Sequence, residues 1–320
     1  MAEKRILEQV SNKTSNEITE NQNETLSSYQ QSETTEKNES NLKLKSERTL
    51  ENQESSKLQT HPLGADTKAT DLSIYSPIIL SDLPEQTINS DSLPQRFWWG
   101  DVNGVNYLSW VLNQNTPQAC SSDYAFAVLS ALSDRINIKN NNIFRTSLAV
   151  QSVINCGVGS CETGGSFAEV LEHGVTKGFS EYGCNNYWAK TPEKADCDSQ
   201  DRCMNCWGTA ESFKCFPMSK YVNWYVKEHG RVSGSDSMKK EIWNRGPIMC
   251  RVMVSENFYY SYNGGVWKES LADGVPRKSQ GVNVVGWGSN EDGEFWIAKN
   301  SWGTWWGESG YFRVPVGEGS

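Results

Sequence analysis

Residues 119–138, ACSSDYAFAVLSALSDRINI, have the composition expected at the start of a catalytic helix. The first N–H groups of a helix are unpaired and carry partial positive charge, so a helix N-terminus lowers the pKa of a thiol and favours anions. The residue before the aromatic Tyr124 would be the nucleophile of such a helix, and here it is Asp123. A carboxylate attacks peptides weakly, and known aspartyl nucleophiles attack other electrophiles. Ser122 is a neighbouring hydroxyl without an evident base.

The elements that would position this stretch follow from residue spacing. Side-chain oxygens at 121–123 are typical helix starters, because they can accept the unpaired N–H groups of the first turn. One buried helical face is then marked by Ala125, Phe126, Leu129, Leu132 and Ile136. A second helix is predicted over 147–155. The later half contains β-rich runs separated by Gly, Asn and Asp: PIMCRVMV, GVNVVGWG, EFWIAKN and GYFRVPV. The pattern predicts an α+β fold with a cleft between a helical and a strand-rich half.

The chain divides by composition. Residues 1–60 lack Gly, Pro, Cys, Trp and Phe, so they cannot bury enough apolar surface to form a core, and a disordered acidic polar tail is predicted. Residues 61–92 contain a Pro-punctuated apolar patch and are interpreted as a linker or propeptide-like segment that docks on the domain. The folded domain is predicted over 93–320.

Charge and hydropathy exclude two classes of partner. The net charge of the 320-residue chain is −9, and most of it falls in 1–92. No Lys/Arg stripe marks a nucleic-acid surface. The longest apolar runs are far shorter than a bilayer span, and the N-terminus shows no apolar core of a secretory signal.

The nine cysteines allow three interpretations. Seven of them lie between 156 and 215. They could be buried free thiols, or they could form a zinc site suggested by the Cys203-Met-Asn-Cys206 spacing, although no second C-x-x-C pair follows. Their clustering and irregular spacing favour disulfides, which require an oxidising compartment.

The C-terminal stretch KNSWGTWWGESGYFRV (299–314) resembles the asparagine motif of papain-like cysteine peptidases. GWG at 286–288 precedes it as in that family, and CETGG at 161–165 resembles the family's Gly-Gly strand, Gly164 and Gly165, along the substrate cleft. The DVNGVNY entry, SDRINI, CNNYWAK and NCWGTAESFKC further resemble the cathepsin X/Z branch. The resemblance covers about 93–314 and implies a papain-like two-lobed fold, with a helical lobe and a β-barrel-like lobe.

The resemblance also implies a cysteine framework. The pairs would be Cys120–Cys161, Cys156–Cys197, Cys184–Cys203 and Cys206–Cys215. Cys250 would remain unpaired, because its partner in the family lies in a C-terminal extension beyond Ser320. On this basis either the domain is C-terminally shortened or the sequence is a fragment.

Papain-type chemistry needs a thiolate beside an imidazolium, with an Asn that orients the ring and a Gln that helps to bind the oxyanion. The resemblance puts Asp123 at the nucleophile position, and Cys120 on one side and Tyr124 on the other leave no room for a gap. It puts Gln280, six residues before GWG, at the general-base position. The three histidines are not replacements: His61 lies in the linker, His173 matches a helix-end His of the family and His229 is predicted in a loop.

The rest of the family's site is retained. By the resemblance, Gln114 matches the oxyanion-hole Gln, Asn300 the orienting Asn and Trp302 the Trp that shields the Asn–His hydrogen bond. The His that holds a substrate carboxylate in the cathepsin X/Z branch is absent from residues 115–117. Asp123 is expected to be stable as a helix-start anion, with a hydrogen bond from the neutral Gln280.

These features together predict a catalytically inactive papain-fold pseudopeptidase that binds a peptide or protein ligand in the inherited cleft. The alternatives are an active peptidase with a non-standard nucleophile and a purely structural component of a larger assembly. We expect no metal and no cofactor. The family and the cysteines favour a lysosomal or secretory lumen, although no signal is visible, and the sequence leaves the oligomeric state open.

Overall fold

The domain is built from a group of helices and an antiparallel sheet that follow one another along the chain. The computed structural model describes residues 76–209, 211–269 and 276–317. The predicted disordered tail, 1–60, and the first part of the 61–92 segment lie outside the described residues. Within that part of the chain, no helix is both long enough and apolar enough to span a bilayer.

The elements are numbered in chain order. The helices are Pro84–Thr87 (α1), Asp123–Lys139 (α2), Val150–Asn155 (α3), Phe167–Thr176 (α4), Ser199–Arg202 (α5), Ser235–Arg245 (α6) and Glu256–Ser261 (α7). The strands are Phe97–Trp98 (β1), Met204–Trp207 (β2), Lys214–Pro217 (β3), Ile248–Val254 (β4), Lys278–Asn290 (β5), Gly293–Lys299 (β6) and Tyr311–Pro315 (β7). Short 3₁₀ turns lie at Ser90–Ser92 and Tyr182–Cys184. The predicted α+β fold class is confirmed.

Helix α2 is the centre of the helical lobe. Its apolar residues Ala125, Phe126, Val128 and Leu129 are buried and pack against α3 and α4 in one hydrophobic cluster. The helix ends after Lys139, where Asn141 and its neighbour adopt a left-handed backbone that cannot continue it. The predicted helical face therefore supplies one of the two cores.

Strand β5 is the centre of the sheet lobe. The sheet has the order β1-β5-β6-β7, with β4 also paired to β5, and every pairing is antiparallel. A second hydrophobic cluster, rich in aromatic rings, covers this sheet. Helix α2 packs on β5, so the two lobes meet where the longest helix lies against the longest strand.

The predicted second helix is shorter than expected. It begins at Val150 rather than at 147, because the preceding residues are extended. Leu148 forms a bridge with Glu181, and the N–H of Ala149 donates to the carbonyl of Ser180. Pairing with a distant segment therefore replaces the first turn that local periodicity predicts.

Four disulfides cross-link the helical lobe, which confirms the disulfide interpretation of the cysteines. They join Cys120 to Cys161, Cys156 to Cys197, Cys184 to Cys203 and Cys206 to Cys215. Cys250 is free. The zinc alternative is wrong for the C-x-x-C pair, because Cys203 and Cys206 are each bonded to another cysteine.

The described part of the 61–92 segment is attached to the surface of the domain. Ile78 pairs with His229, and the N–H groups of Leu80 and Ser81 each donate to Glu228 at 3.0 Å. Arg245 of α6 donates to the carbonyl of Asp82 at 2.7 Å. These contacts bind residues 78–82 to α6 and to the loop before it.

A buried ion pair joins the two lobes. Lys299 of β6 lies 2.9 Å from both carboxylate oxygens of Asp134 of α2, and both residues are almost fully buried. Asp134 also accepts hydrogen bonds from Ser109 and from the Asn283 amide of β5. Burial lowers the pKa of Lys299, and the nearby Asp134 carboxylate opposes that shift. The arrangement fixes the position of α2 on the sheet.

Removal of the lysine tests this role. Lys299→Met leaves Asp134 buried without a counter-charge, so we expect the free energy of unfolding to fall by about 3–5 kcal/mol in urea melts. The double variant Lys299→Met with Asp134→Leu should lose less. The matched control is Lys268→Met, which breaks an exposed pair with Asp292 and should cost less than about 1 kcal/mol. Equal losses in the two single variants would contradict the assignment.

Candidate functional site

The four residues assigned from the sequence to one site lie together between the lobes. Asp123 is the first residue of α2, Gln280 lies in β5, Asn300 follows β6 and Gln114 lies in the loop before α2. All four are at most 4 % exposed. The strongest long-range contacts of α2 are made with β5, and this packing brings the four together.

The carboxylate of Asp123 is bound to the sheet lobe. Its Oδ2 accepts a hydrogen bond from the N–H of Gly281 at 2.7 Å and lies 3.7 Å from Nη1 of Arg251. A side chain at 281 would place a Cβ 2.9 Å from the carbonyl oxygen of Asp123 and 3.0 Å from Oδ2. Glycine at this position therefore allows the helix start to approach the strand closely.

Burial makes ionisation of Asp123 harder in the folded protein than in water. Burial raises its pKa to about 6 from the ordinary value of 3.8, although Arg251 and the N–H groups of Gly281, Asp123 and Tyr124 act in the opposite direction. At neutral pH a group with a pKa of about 6 is still mainly ionised, but the upward shift indicates that loss of hydration outweighs the helix N-terminus and the arginine. A stabilising role for Asp123 as a helix-start anion stays a prediction.

Gln280 has different partners from those predicted. Its Nε2 lies 3.0 Å from Oε1 of Gln114, 3.2 Å from Oδ1 of Asn300 and 3.4 Å from Oγ of Ser301. The expected hydrogen bond to Asp123 is not made, and the N–H of the next residue, Gly281, takes that place. Gln280 Oε1 and Asn300 Nδ2 are buried without a hydrogen-bond partner. The amides thus form a cluster of their own beside the carboxylate.

The other retained residues also make internal contacts. Nε2 of Gln114 donates to the carbonyl of Cys120 at 3.0 Å, and its Oε1 accepts from Ser301 at 2.7 Å. The ring of Trp302 is buried and packs edge-on against Tyr259 and Trp306. Contacts within the fold position both side chains.

Ser122 does not act as a side-chain cap or as an activated hydroxyl. It is the N-cap residue of α2, but its side chain makes no capping bond. Its Oγ donates instead to the hydroxyl of Tyr187 at 2.7 Å, and that hydroxyl donates to the carbonyl of Gln114. The predicted capping role is wrong here, because a tertiary hydrogen bond takes the oxygen.

The glycine segment lies on the other side of the carboxylate. Gly164 has φ of +71°, a left-handed backbone that favours glycine, and it pairs with Ser160. A Cβ on Gly165 would lie 2.5 Å from the ring of Tyr124. The carbonyl of Gly165 accepts a hydrogen bond from Nη2 of Arg251 at 2.9 Å.

Arg251 is the site residue that sequence reasoning missed. It lies opposite Gly281 in the β4–β5 register, which carries its side chain toward Asp123 and Gly165. Its guanidinium also lies 4.6 Å from the centre of the Phe167 ring. The signal in the sequence was a single charge inside the apolar run PIMCRVMV, but only the strand register shows what it faces.

His173 and the free thiol of Cys250 are buried in surroundings that disfavour their charged forms. His173 is buried beside Phe179, and burial lowers its pKa to about 4. It lies near Cys156 and Cys197, but these two form a disulfide and offer no thiolate to a metal. Burial raises the pKa of Cys250 to about 12, so this thiol is not ionised at neutral pH. His61 lies outside the described residues.

The loop at residues 115–117, where the resemblance predicts that the carboxylate-binding His is absent, borders a cavity. The Thr116–Pro117 peptide bond is cis, and both residues line a cavity of about 260 Å³. Tyr187, which contacts Ser122 and Gln114, lies on its wall with Tyr182. The space next to the site is therefore lined by neutral side chains.

Comparison with known proteins places these features in a family. The model described as papain family cysteine protease matches residues 93–319. Cathepsin Z of Onchocerca volvulus is 39 % identical over 237 residues, which cover 73 % of this chain and 74 % of that protein. Fruit bromelain of Ananas comosus is 30 % identical over 241 residues, which cover 73 % and 58 %.

Solved structures give the same fold. The structure titled proCathepsin B S9 from Trypanosoma congolense superposes with a TM-score of 0.62 at 21 % identity, covering 80 % of this chain and 82 % of that one. A bromelain from Ananas comosus in complex with the E64 inhibitor superposes with a TM-score of 0.54 at 26 % identity, covering 71 % and 92 %.

The raised pKa of Asp123 predicts a pH-dependent stability. A carboxyl group with a folded pKa of about 6 and an ordinary value of 3.8 contributes fully to stability below pH 3.8 and loses that contribution as the pH rises through 6. We expect wild type to lose up to about 3 kcal/mol between pH 4 and pH 7.5 relative to Asp123→Asn. Urea melts across this range measure it, with the exposed Asp292→Asn as control. Parallel pH profiles for wild type and Asp123→Asn would contradict the prediction.

Proposed function

Because the chain belongs to the papain family of cysteine proteases, we propose that it is an inactive member that binds a peptide or protein segment between its lobes. The family's peptides bind in this cleft, and the glycine segment of the present chain lies beside it. In this proposal the protein retains the peptide-binding surface of the family but does not hydrolyse the bound peptide.

The observation that carries the proposal is the pair of side chains where the helix start meets β5. A carboxylate, Asp123, lies there with an amide, Gln280, whose nitrogen is surrounded by oxygen acceptors. Papain-type hydrolysis needs a thiolate to attack and an imidazole to carry the proton. An amide nitrogen has no basic lone pair, so Gln280 cannot perform that transfer.

The cysteine and histidine chemistry elsewhere in the described chain supports the same conclusion. Eight cysteines are held in disulfides, and the ninth, Cys250, has a pKa raised to about 12. His173 is buried against Phe179, and burial lowers its pKa to about 4. The cysteines that lie near His173, Cys156 and Cys197, are joined in a disulfide and supply no thiolate for a substitute thiolate–imidazolium pair.

A second candidate is an active peptidase that uses an unusual nucleophile. Family membership favours it, since the relatives reported above carry names of peptidases. The pKa of about 6 for Asp123 is the specific observation in its favour, because such a group can exchange protons near neutrality. Against it stands the weak reactivity of a carboxylate toward an amide. A third candidate, a purely structural component, would leave the cleft empty.

The compartment follows from the same features. Four disulfides and the cathepsin-like relatives support a lysosomal or secretory lumen, where disulfides persist. We propose that the ligand is met there.

Activity assays on restored variants test the proposal. Wild type should not hydrolyse fluorogenic peptide substrates above buffer and should not react with a thiol-directed active-site probe. Asp123→Cys should react with the probe without turnover, because Gln280 cannot accept a proton. Asp123→Cys with Gln280→His should gain weak hydrolysis, because Asn300 Oδ1 already lies within 3.2 Å of the side chain at 280.

The contradicting outcomes are separate. Turnover by wild type that Asp123→Ala abolishes would support the second candidate and overturn inactivity. Turnover by Asp123→Cys alone would show that a proton acceptor other than residue 280 serves the site. Asn300→Ala in the double variant is the control, and it should reduce any gained activity if Asn300 orients the new imidazole.

A further inference from the structure

Arg251 connects the two lobes at the edge of the candidate site. It belongs to β4 of the sheet lobe, and its guanidinium contacts Asp123, Gly165 and Phe167 of the helical lobe. Within the sheet lobe it donates to Ser279 of β5 at 3.3 Å. A ligand between the lobes and beside the glycine segment would therefore meet this side chain.

The positive charge of Arg251 is only partly balanced. Among the described residues, the single carboxylate in contact is Asp123, and its nearest oxygen is 3.7 Å away, beyond hydrogen-bond distance. The other partners, a carbonyl, a hydroxyl and an aromatic ring face, carry no charge. A guanidinium has five N–H donors in a planar fork that fits a carboxylate.

The cation is also the accessible member of the pair. The Arg251 side chain is 25 % exposed, whereas the Asp123 side chain is 4 % exposed. An approaching molecule thus meets the guanidinium, while the fold hides the carboxylate behind it. The Phe167 face fixes the orientation of the guanidinium plane, which reduces the ordering that a ligand would have to impose.

The contact between Arg251 and Gly165 also favours a ligand that carries a hydrogen-bond acceptor. Arg251 already donates to the Gly165 carbonyl, a main-chain acceptor of the glycine segment. A peptide laid along this segment has to share the carbonyl with the arginine. A ligand with a carboxylate can instead accept hydrogen bonds from the remaining N–H groups of Arg251, so that the arginine attracts the ligand and does not only compete with it for the Gly165 carbonyl.

We propose that Arg251 determines the ligand specificity of the cleft by binding a carboxylate, so that the preferred ligand is a peptide with an Asp or Glu side chain beside Gly165. The inference rests on the proposed binding function and names the chemical class of its ligand. Phe167 supports the charged group from one side, and Ser279 holds it from the sheet.

Peptide binding to the full chain tests the proposal. The probes are fluorescein-labelled apolar heptapeptides in which each position in turn is Glu, Gln or Lys, measured by fluorescence polarisation. We expect Glu at one position to bind about tenfold more tightly than Gln, as for a charge-assisted hydrogen bond, and Lys to bind most weakly. In Arg251→Gln the Glu-to-Gln ratio should fall to about one.

Two further variants sharpen the result. Arg251→Lys keeps the charge without the planar fork, so its ratio should be intermediate. Arg96→Gln removes an exposed arginine at the far end of β5, next to β1, and should keep the wild-type ratio. Melting curves for each variant report folding independently of binding.

The outcomes distinguish the two proposals. If wild type shows no preference for Glu over Gln, or if Arg251→Gln keeps that preference, the role of Arg251 is overturned. The proposed binding function is not affected by either result. Failure of every heptapeptide to bind the folded wild type overturns the binding function together with this inference.

Discussion

The buried ion pair between Asp134 and Lys299 is the interaction on which the geometry of this protein depends. It fixes α2 against β5 and β6 in a place where neither charge has access to water, and Ser109 and Asn283 complete its hydrogen bonds. The start of α2 lies three helical turns from Asp134, so the same packing of α2 on the sheet determines where Asp123 contacts β5. The lack of a side chain at Gly281 then allows Asp123 to approach β5 closely.

In the proposed inactive protein, the site keeps an anion and a cation in contact but with different groups from those of a thiolate–imidazolium pair. An anion still lies at the helix start, and a cation still faces it, yet these are a carboxylate and a guanidinium. A carboxylate attacks an amide more weakly than a thiolate does, and a guanidinium stays protonated and does not carry a proton as an imidazole does. The cation also comes from a different strand, β4, so the replacement is one of charge and not of position.

Burial of Asp123 has a cost that the rest of the fold does not remove. Its pKa of about 6 means that ionisation opposes folding at neutral pH, in spite of the helix N-terminus, Gly281 and Arg251. Stability alone does not explain an aspartate at this position. Asp123 lies 3.7 Å from the partly exposed guanidinium of Arg251, which is the group that we propose to select the ligand.

The sequence by itself determined the elements whose signals are local. The helix from Asp123 with its apolar face, the four β-rich runs and the family motif at 299–314 are all patterns within short windows, and each corresponds to an element of the structure. The spacing between Gln280 and the Gly-Trp-Gly of β5 is also a pattern within a short window of the sequence. These patterns were sufficient for the fold class and for Asp123, Gln280, Asn300 and Gln114 between the lobes, but not for Arg251.

Only the tertiary structure decided how those residues are connected. Gln280 faces Gln114 and Asn300 instead of Asp123, because the strand turns the side chain of 280 away and presents the N–H of 281. The hydroxyl of Ser122 is taken by Tyr187, which lies 65 residues later in the chain. Arg251 reaches the site through the β4–β5 register, and the pKa of Asp123 depends on burial between lobes. Each of these depends on contacts between residues far apart in the chain, which no local pattern of residue types encodes.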